Sequence, residues 1–363
     1  MKIRLNNFTA EYAEIKLEID AAIASVLNSG QYILGDNVRY FEKKLAKFIG
    51  VKYCVGVASG TDAITLSLLA NGIGTGDEVI TTNFTAYPTV VGIINSGATP
   101  ILVDVSLDNA LIDVNLIEAA ISQKTRAIIP VHLYGHPCNM KAIKEISEKY
   151  KLILIEDCAQ ALGAEYNGKK IGSFGNCGAF SFYPTKIIGA YGDAGAVVTN
   201  NVSLYNQLIS LRNYGNVNGH LHQENGLNSR LDEIQAAILG VKLKYVEEWN
   251  RRRIIIGNYY LDNIKNHELF SLDPNITHVY HIFAIRSKKR EKLMNHLKNS
   301  NIETKVHYPT TIHQNDFVHS PNMSNYYIST LLANEVMSIP INPWLTENEI
   351  LTVINSINEF KNG

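Results

Sequence analysis

Between about residue 37 and residue 200, short apolar runs of strand length alternate with amphipathic stretches of helical period, and this alternation leaves few architectures open. CVGV (54–57), DEVITT (77–82), TPILVDV (99–105), RAIIPVH (126–132), LILIED (152–157), GAFSFY (178–183) and AGAVVT (194–199) read as strands. LIEAAISQ and MKAIKEISEKY read as helices between them. Strands joined through helices pair in parallel, because each crossover returns the chain in the same direction. The expected class is α/β with a mainly parallel sheet. The pattern breaks after residue 178, where two strands follow with little room for a helix. A chain of 363 residues usually exceeds one core, so a large domain over 1–245 and a smaller C-terminal α/β domain over 246–363 are expected. Leu231 to Ile264 reads as one long linking helix. The small domain should hold HVYHIFAIR, the helix REKLMNHLKNS, the strand IETKVHY and a final helix from about Glu347 to Phe360.

The break in the pattern holds Lys186, five residues after Ser181 and followed by Gly189, Gly192 and Gly195. A lysine attacks an aldehyde only as the neutral amine, so it needs a sheltered site that lowers its pKa. An arbitrary lysine is a solvated surface group; this one has informative neighbours. LILIED ends in Glu156 and Asp157, and strand ends point into the ligand crevice of an open α/β sheet. Alternation sends the two acids to opposite faces, and Asp157 is the one expected to face the crevice. Ser59-Gly60-Thr61-Asp62 lies between a strand and a helix, where free amides and the helix dipole favour a phosphate. Schiff-base lysine, strand-end Asp and phosphate site together suit pyridoxal 5'-phosphate (PLP), whose ring nitrogen needs an acid to stay protonated. Gln160, just after Asp157, is placed to bond the ring's phenolic oxygen.

Composition narrows the classes further. A formal net charge of -1 gives no pull toward nucleic acid or an anionic membrane. No apolar run reaches the roughly 18 residues of a membrane helix. The start MKIRLNNFTAEYAEIK lacks the apolar core of a signal peptide. Cys54, Cys138, Cys158 and Cys177 show no metal-binding spacing and read as reduced thiols of a cytoplasmic protein. No metal site is expected: His132 and His136 are four apart, but Gly135 and Pro137 break any helix between them. His220 and His222 lie on a polar loop before Asn228 that reads as solvated loop, with a lid or subunit contact as the alternative.

Ordered along the chain are SGTDAI (59–64), GDEVITTNFT (76–85), GATPILVDV (97–105), VHLYGHP (131–137) and IEDCAQALGAEY (155–166). SFYPTK (181–186), GDAGAVVTN (192–200), LRNYG (211–215), NSRLDEIQAAIL (228–239) and VHYP (306–309) follow. Through them the chain resembles the PLP-dependent sugar-nucleotide aminotransferases of the DegT/DnrJ/EryC1/StrS type, in the fold type I aspartate aminotransferase superfamily. The resemblance implies a three-layer αβα large domain and a smaller α/β domain. It implies that Lys186 carries the cofactor, Asp157 pairs with the pyridinium and Gln160 lies at the cofactor face. Gly60, Thr61 and Ser181 would hold the phosphate, with Asn228 reaching it from the partner subunit of a homodimer with shared sites. Ala86 stands where the family usually places a stacking aromatic, so Tyr87 is expected to take that role. Glutamate is the implied donor and a nucleotide-linked keto-sugar the acceptor, for bacterial surface-polysaccharide sugars. His307, Tyr308 and His313 lie in the stretch that resembles the family's substrate-facing C-terminal segment, which makes them candidate substrate contacts. GDAGA, SFYPTK and LRNYG resemble the branch that aminates C3 of dTDP-3-keto-6-deoxyhexoses; a 4-keto or UDP-linked 3-keto sugar is the alternative. Sugar dehydratases of the same family have His at the lysine position, and a regulator that only kept the fold has no use for Lys186 and Asp157.

Overall fold

The computed structural model describes residues 2–216, 221–222, 225–265, 267–316, 318 and 326–360. Helices α1 (Phe8–Ser29) and α2 (Asp36–Ile49) open the chain. The alternating region follows as β1 (Tyr53–Val57), α3 (Gly60–Ala70), β2 (Glu78–Thr82), α4 (Tyr87–Asn95) and β3 (Thr99–Val103). It continues through α5 (Val114–Ile117), β4 (Thr125–Ile129), α6 (Met140–Tyr150) and β5 (Ile153–Asp157). After the two-residue strands β6 (Glu165–Tyr166) and β7 (Lys169–Lys170) come β8 (Cys177–Ser181), β9 (Gly195–Thr199) and α7 (Val202–Leu211). Every strand run expected between 54 and 199 forms a strand, with ends shifted by one to three residues. LIEAAISQ instead gives only the single turn of α5 and a 3₁₀ turn over Glu118–Ala120.

These longer strands make one seven-stranded sheet in the order β1-β9-β8-β5-β4-β2-β3. Its pairings are parallel except at β9, which runs antiparallel to both neighbours. Period-2 alternation splits the strand side chains between two cores. Ile80, Ile101, Ile128, Leu154 and Phe180 pack on one face with α1, α2, α6 and the following helix α8 (Glu233–Lys242). Val55, Val79, Ile129, Ile155 and Val197 pack on the other with α3, α7 and Ile93 of α4. The result is a three-layer αβα body. Because β9 is the one reversed strand, the ends of β1, β2, β5 and β8 and the start of β9 all open on the same edge.

The long helix expected over 231–264 is two helices. α8 ends at Lys242, Leu243–Tyr245 turn, and α9 (Val246–Asn263) begins anew. Glu247 and Glu248 in the first turn of α9 suit a fresh N-terminus. The break lets each half bury its own face: α9 sends Trp249 into the first core and Ile256 and Tyr260 into a third one. That third core is built on a small sheet of β10 (Glu268–Leu269), β12 (Phe283–Arg286) and β13 (Val336–Ile339), with β11 (Ile276–Thr277) pairing back to β6. α10 (Arg290–Asn299) and α12 (Glu347–Glu359) cover it, while α11 (Tyr327–Glu335) leans on the first core. IETKVHY forms no strand: only isolated bridges tie Ile302 to Ile3 and Lys305 to Ser338. Its later residues turn instead toward the sheet's open edge.

Candidate functional site

The open edge holds a cavity of about 350 Å³, with Ser59–Thr61, Thr85, Ala86, Thr89, Asp157, Gln160, Ser181 and Lys186 among its walls. They arrive from strand ends, from the loops after them, or from the first turn of the helix that follows. Asp157 closes β5 and is 4% exposed. Its Oδ2 accepts from the Thr89 hydroxyl at 2.8 Å and its Oδ1 from the Ala159 N–H at 3.1 Å. Burial raises its pKa, opposed by those two bonds and by the charge of Lys186. Glu156 faces the opposite way, as the alternation requires. It accepts backbone N–H bonds from Gly172, Phe174 and Gly175 at 2.7–2.9 Å, a structural task.

Lys186 sits in the turn between β8 and β9, where its backbone N–H donates to Tyr183 O at 2.8 Å. Burial brings its ammonium down to about 8, with Asp157 pulling the other way. Gly60 opens α3, and the Ser59 hydroxyl caps the helix by accepting from Asp62 N at 3.1 Å. The amides of Gly60 and Thr61 are left at the helix start for a ligand. A Cβ on Gly60 would stand 2.6 Å from Ser181 Cβ, so glycine is what lets this helix end meet the end of β8. Ser229, next to Asn228, ties the corner by donating to Asp62 Oδ2 at 2.6 Å and accepting from Ala58 N at 3.1 Å.

The residue set fits PLP: a buried amine whose pKa burial brings down, a buried acid in the same cavity, and a phosphate cradle that a Cβ would fill. Gln160 lies on the wall with its carbonyl held by Tyr134 N–H at 2.6 Å and its amide donating to the Tyr308 hydroxyl at 2.8 Å. Tyr308 is thereby brought to the site. Tyr87 is not. Ala86 is the residue before α4 and faces the cavity, whereas a helix advances about 100° per residue and swings Tyr87 onto the cluster of Val90, Leu102 and Ile312. His307 lines a smaller neighbouring cavity with its Nδ1 2.8 Å from Ser338 Oγ. His313 is pinned elsewhere, its Nδ1 2.9 Å from both Asn83 Nδ2 and Thr311 Oγ1 and its ring against Tyr326. Asn228 is exposed, bridged to Asn213 outside the cavity wall. His220 lies outside the described residues, and His222 is exposed with Nδ1 2.8 Å from Tyr214 O.

Sequence reading missed Thr85, Thr89 and Tyr183 on the cavity wall and His281 beside it. Thr89 alone had a usable signal, as a hydroxyl in the first turn of a helix that follows a strand end. His132, Glu156 and Cys158 come together behind Asp157 with their ligand atoms within 4.8 Å. Glu156 is already saturated by amides, and burial pushes the Cys158 thiol far up, so the trio is a poor cation cage.

The sequence profile of the DegT/DnrJ/EryC1/StrS aminotransferase family matches residues 13–358. This chain belongs to that family. It is 45% identical over 345 residues to the dTDP-3-amino-3,6-dideoxy-alpha-D-galactopyranose transaminase of Aneurinibacillus thermoaerophilus, covering 94% of this chain and 95% of the relative. It is 40% identical to the dTDP-3-amino-3,4,6-trideoxy-alpha-D-glucose transaminase of Streptomyces venezuelae, covering 97% and 94%. The crystal structure of S. venezuelae DesV in complex with a ketimine intermediate superposes with a TM-score of 0.96 at 40% identity, covering 99% of this chain and 98% of that one. The fold is that of the PLP-dependent aminotransferases of fold type I, and the protein is a PLP-dependent aminotransferase. Among the described residues no helix is long and apolar enough to cross a membrane.

Proposed function

We propose that this aminotransferase moves an amino group from glutamate to C3 of a dTDP-linked 3-keto-6-deoxyhexose, as a cytoplasmic homodimer with shared sites that serves bacterial surface-polysaccharide synthesis. The observation that carries the chemistry is the single cavity walled by both Lys186 and Asp157. The sugar assignment is supported by the two 3-amino-sugar transaminases named above. Bound PLP supplies an aldehyde that exchanges amines and a ring that withdraws electrons from the bond being broken. The chain's own groups do the remaining work. Gly60, Thr61 and Ser181 hold the phosphate, and Asn228 of one subunit reaches toward the phosphate in the other. Asp157 holds the proton on the ring nitrogen, in a site dry enough that the pair is strong. Lys186 is placed to hold the cofactor and, once a donor amine is bound there, would carry a proton between the donor's α-carbon and the cofactor's C4′. A pKa of about 8 suits that task, since a group poised near ambient pH both takes and gives a proton.

His307 and Tyr308, from the loop after Lys305, close the small-domain side of the site, and they and His313 remain our candidates for contact with the sugar nucleotide. The test is to incubate the purified enzyme with glutamate and a panel of 3-keto and 4-keto nucleotide sugars, then locate the new C–N bond by NMR. An amine at C3 of a dTDP-sugar is expected. An amine at C4 would overturn the sugar assignment and leave the aminotransfer chemistry in place.

A further inference from the structure

We propose that the small cavity beside Lys186, between Lys305, His281 and Asn6, receives the side-chain carboxylate of a dicarboxylate amino donor, resting on the glutamate donor proposed above. Position comes first. Thr185, the residue before Lys186, lines both this cavity and the larger one. Lys186 lines the larger cavity and Thr185, next to it in the chain, is shared by both, so the amine stands on the side of the cofactor cavity where the two spaces meet. A donor with its α-carbon within proton-transfer reach of Lys186 would therefore extend its side chain into one of them.

Size decides which. The larger cavity, about 350 Å³, is the one with the cofactor residues; the smaller, about 80 Å³, is the tighter space and suits a short side chain. Its walls are divided accordingly. Leu5, Ile282, Ile339 and Ile341 offer apolar surface for methylenes. Lys305, Asn6 and Ser338 offer donors for an anion.

Charge points the same way. No carboxylate lines the cavity, and Lys305 makes no ion pair among the described residues. The acid two residues away, Glu303, is already engaged: Lys2 lies 3.5 Å from its Oε1, and Leu5 N–H donates to its Oε2 at 3.1 Å. Burial holds His281 and His307 neutral, His307 down at about 4, so they add polar groups without charge. Arg253 is buried, with a guanidinium Nη1 that finds no hydrogen-bond partner among the described residues, and Glu11 is the acid whose charge acts on it. An unpaired lysine beside neutral polar groups and a partly apolar wall is complementary to the side-chain carboxylate of a flexible dicarboxylate.

The experiment compares holoenzyme with its Lys305→Met variant, which keeps the apolar stem and removes the charge from an exposed position. Calorimetry with glutarate, which has both carboxylates and no amine, reads binding without turnover. The variant should bind glutarate at least about tenfold more weakly, the worth of one hydrogen bond to a charged group. Its KM for glutamate should rise by about 10- to 100-fold, its preference for glutamate over glutamine should collapse, and its KM for the sugar nucleotide should stay unchanged. His281→Gln provides a second, independent loss in the same direction. Unchanged glutarate affinity in both variants would overturn the proposal, as would a loss that falls on the sugar nucleotide instead. If the wild-type enzyme accepts no amine from glutamate at all, the donor assignment itself fails, a result separable from a glutamate-using enzyme indifferent to Lys305.

Discussion

At Lys186 the surroundings do what the side chain alone does not. An ordinary lysine is almost wholly protonated at neutral pH, whereas this one is drawn down to about 8 by burial. Capture of PLP by the apoprotein needs the neutral amine, so its rate should climb with pH and reach half its plateau near pH 8. Stopped-flow absorbance would follow it, and a rate flat across that range would contradict the assignment. Lys186→Ala should abolish turnover while leaving the circular dichroism spectrum and thermal midpoint intact. For Asp157→Asn we expect transamination to fall by roughly 10²–10³-fold, the scale on which a preorganised electrostatic partner acts. An unchanged rate would assign the ring nitrogen to another group. Tyr87 shows the limit of residue-level reading. Its identity suited a stacking role, but the helix that begins at its own position turned it onto Ile312 and left Ala86 at the wall.

At the scale of elements, the site exists because β9 reverses. β8 and β9 pair antiparallel, with Phe180 opposite Ala196 and Ser181 opposite Gly195, so the connection that bears Lys186 must double back over the sheet's open edge. The same edge receives α3, and its approach is set by a glycine. Gly60→Ala would press a methyl within 2.6 Å of Ser181 Cβ and push the helix start off the strand end. We expect a stability loss of about 1–3 kcal/mol, the usual cost of overpacking, and a larger proportional loss of PLP affinity. A spectroscopic PLP titration alongside a denaturant melt separates the two, and equal affinity in the variant would remove Gly60 from the phosphate cradle. The split between α8 and α9 belongs to this scale as well. Helical periodicity runs straight through Leu243–Tyr245, and only the need to bury Leu239 and Tyr260 in different cores breaks it.

For the whole molecule, the placement of Asn228 carries the prediction. It is exposed and outside the cavity wall of its own chain, directly beside Ser229, which braces the start of α3. If it completes the partner's phosphate site, the enzyme should sediment as a dimer, and neither an Asn228→Ala nor a Lys186→Ala homodimer should be fully active. Mixing and re-associating the two should then restore part of the activity through hybrid dimers carrying one intact site. A fully active monomer would refute the shared site.

The sequence by itself determined the layered α/β body, because period-2 and period-3.6 patterns are local properties that need no partner to be read. It also placed Lys186, Asp157, Gln160, Gly60, Thr61 and Ser181, since strand-end and helix-start positions of one sheet share an edge. Only the tertiary structure decided what depends on long-range contact. Thr89 meets Asp157 across 68 residues, and Tyr308 meets Gln160 across 148. His281, just before β12, and Lys305, after α10, line the cavity next to Thr185, where no spacing in the chain announces them. IETKVHY has a strand's composition, yet it gives up a ladder to bring His307 and Tyr308 to the site. Burial, which sets the pKa of Lys186, is likewise a sum over elements folded from the whole chain rather than a property of any one segment.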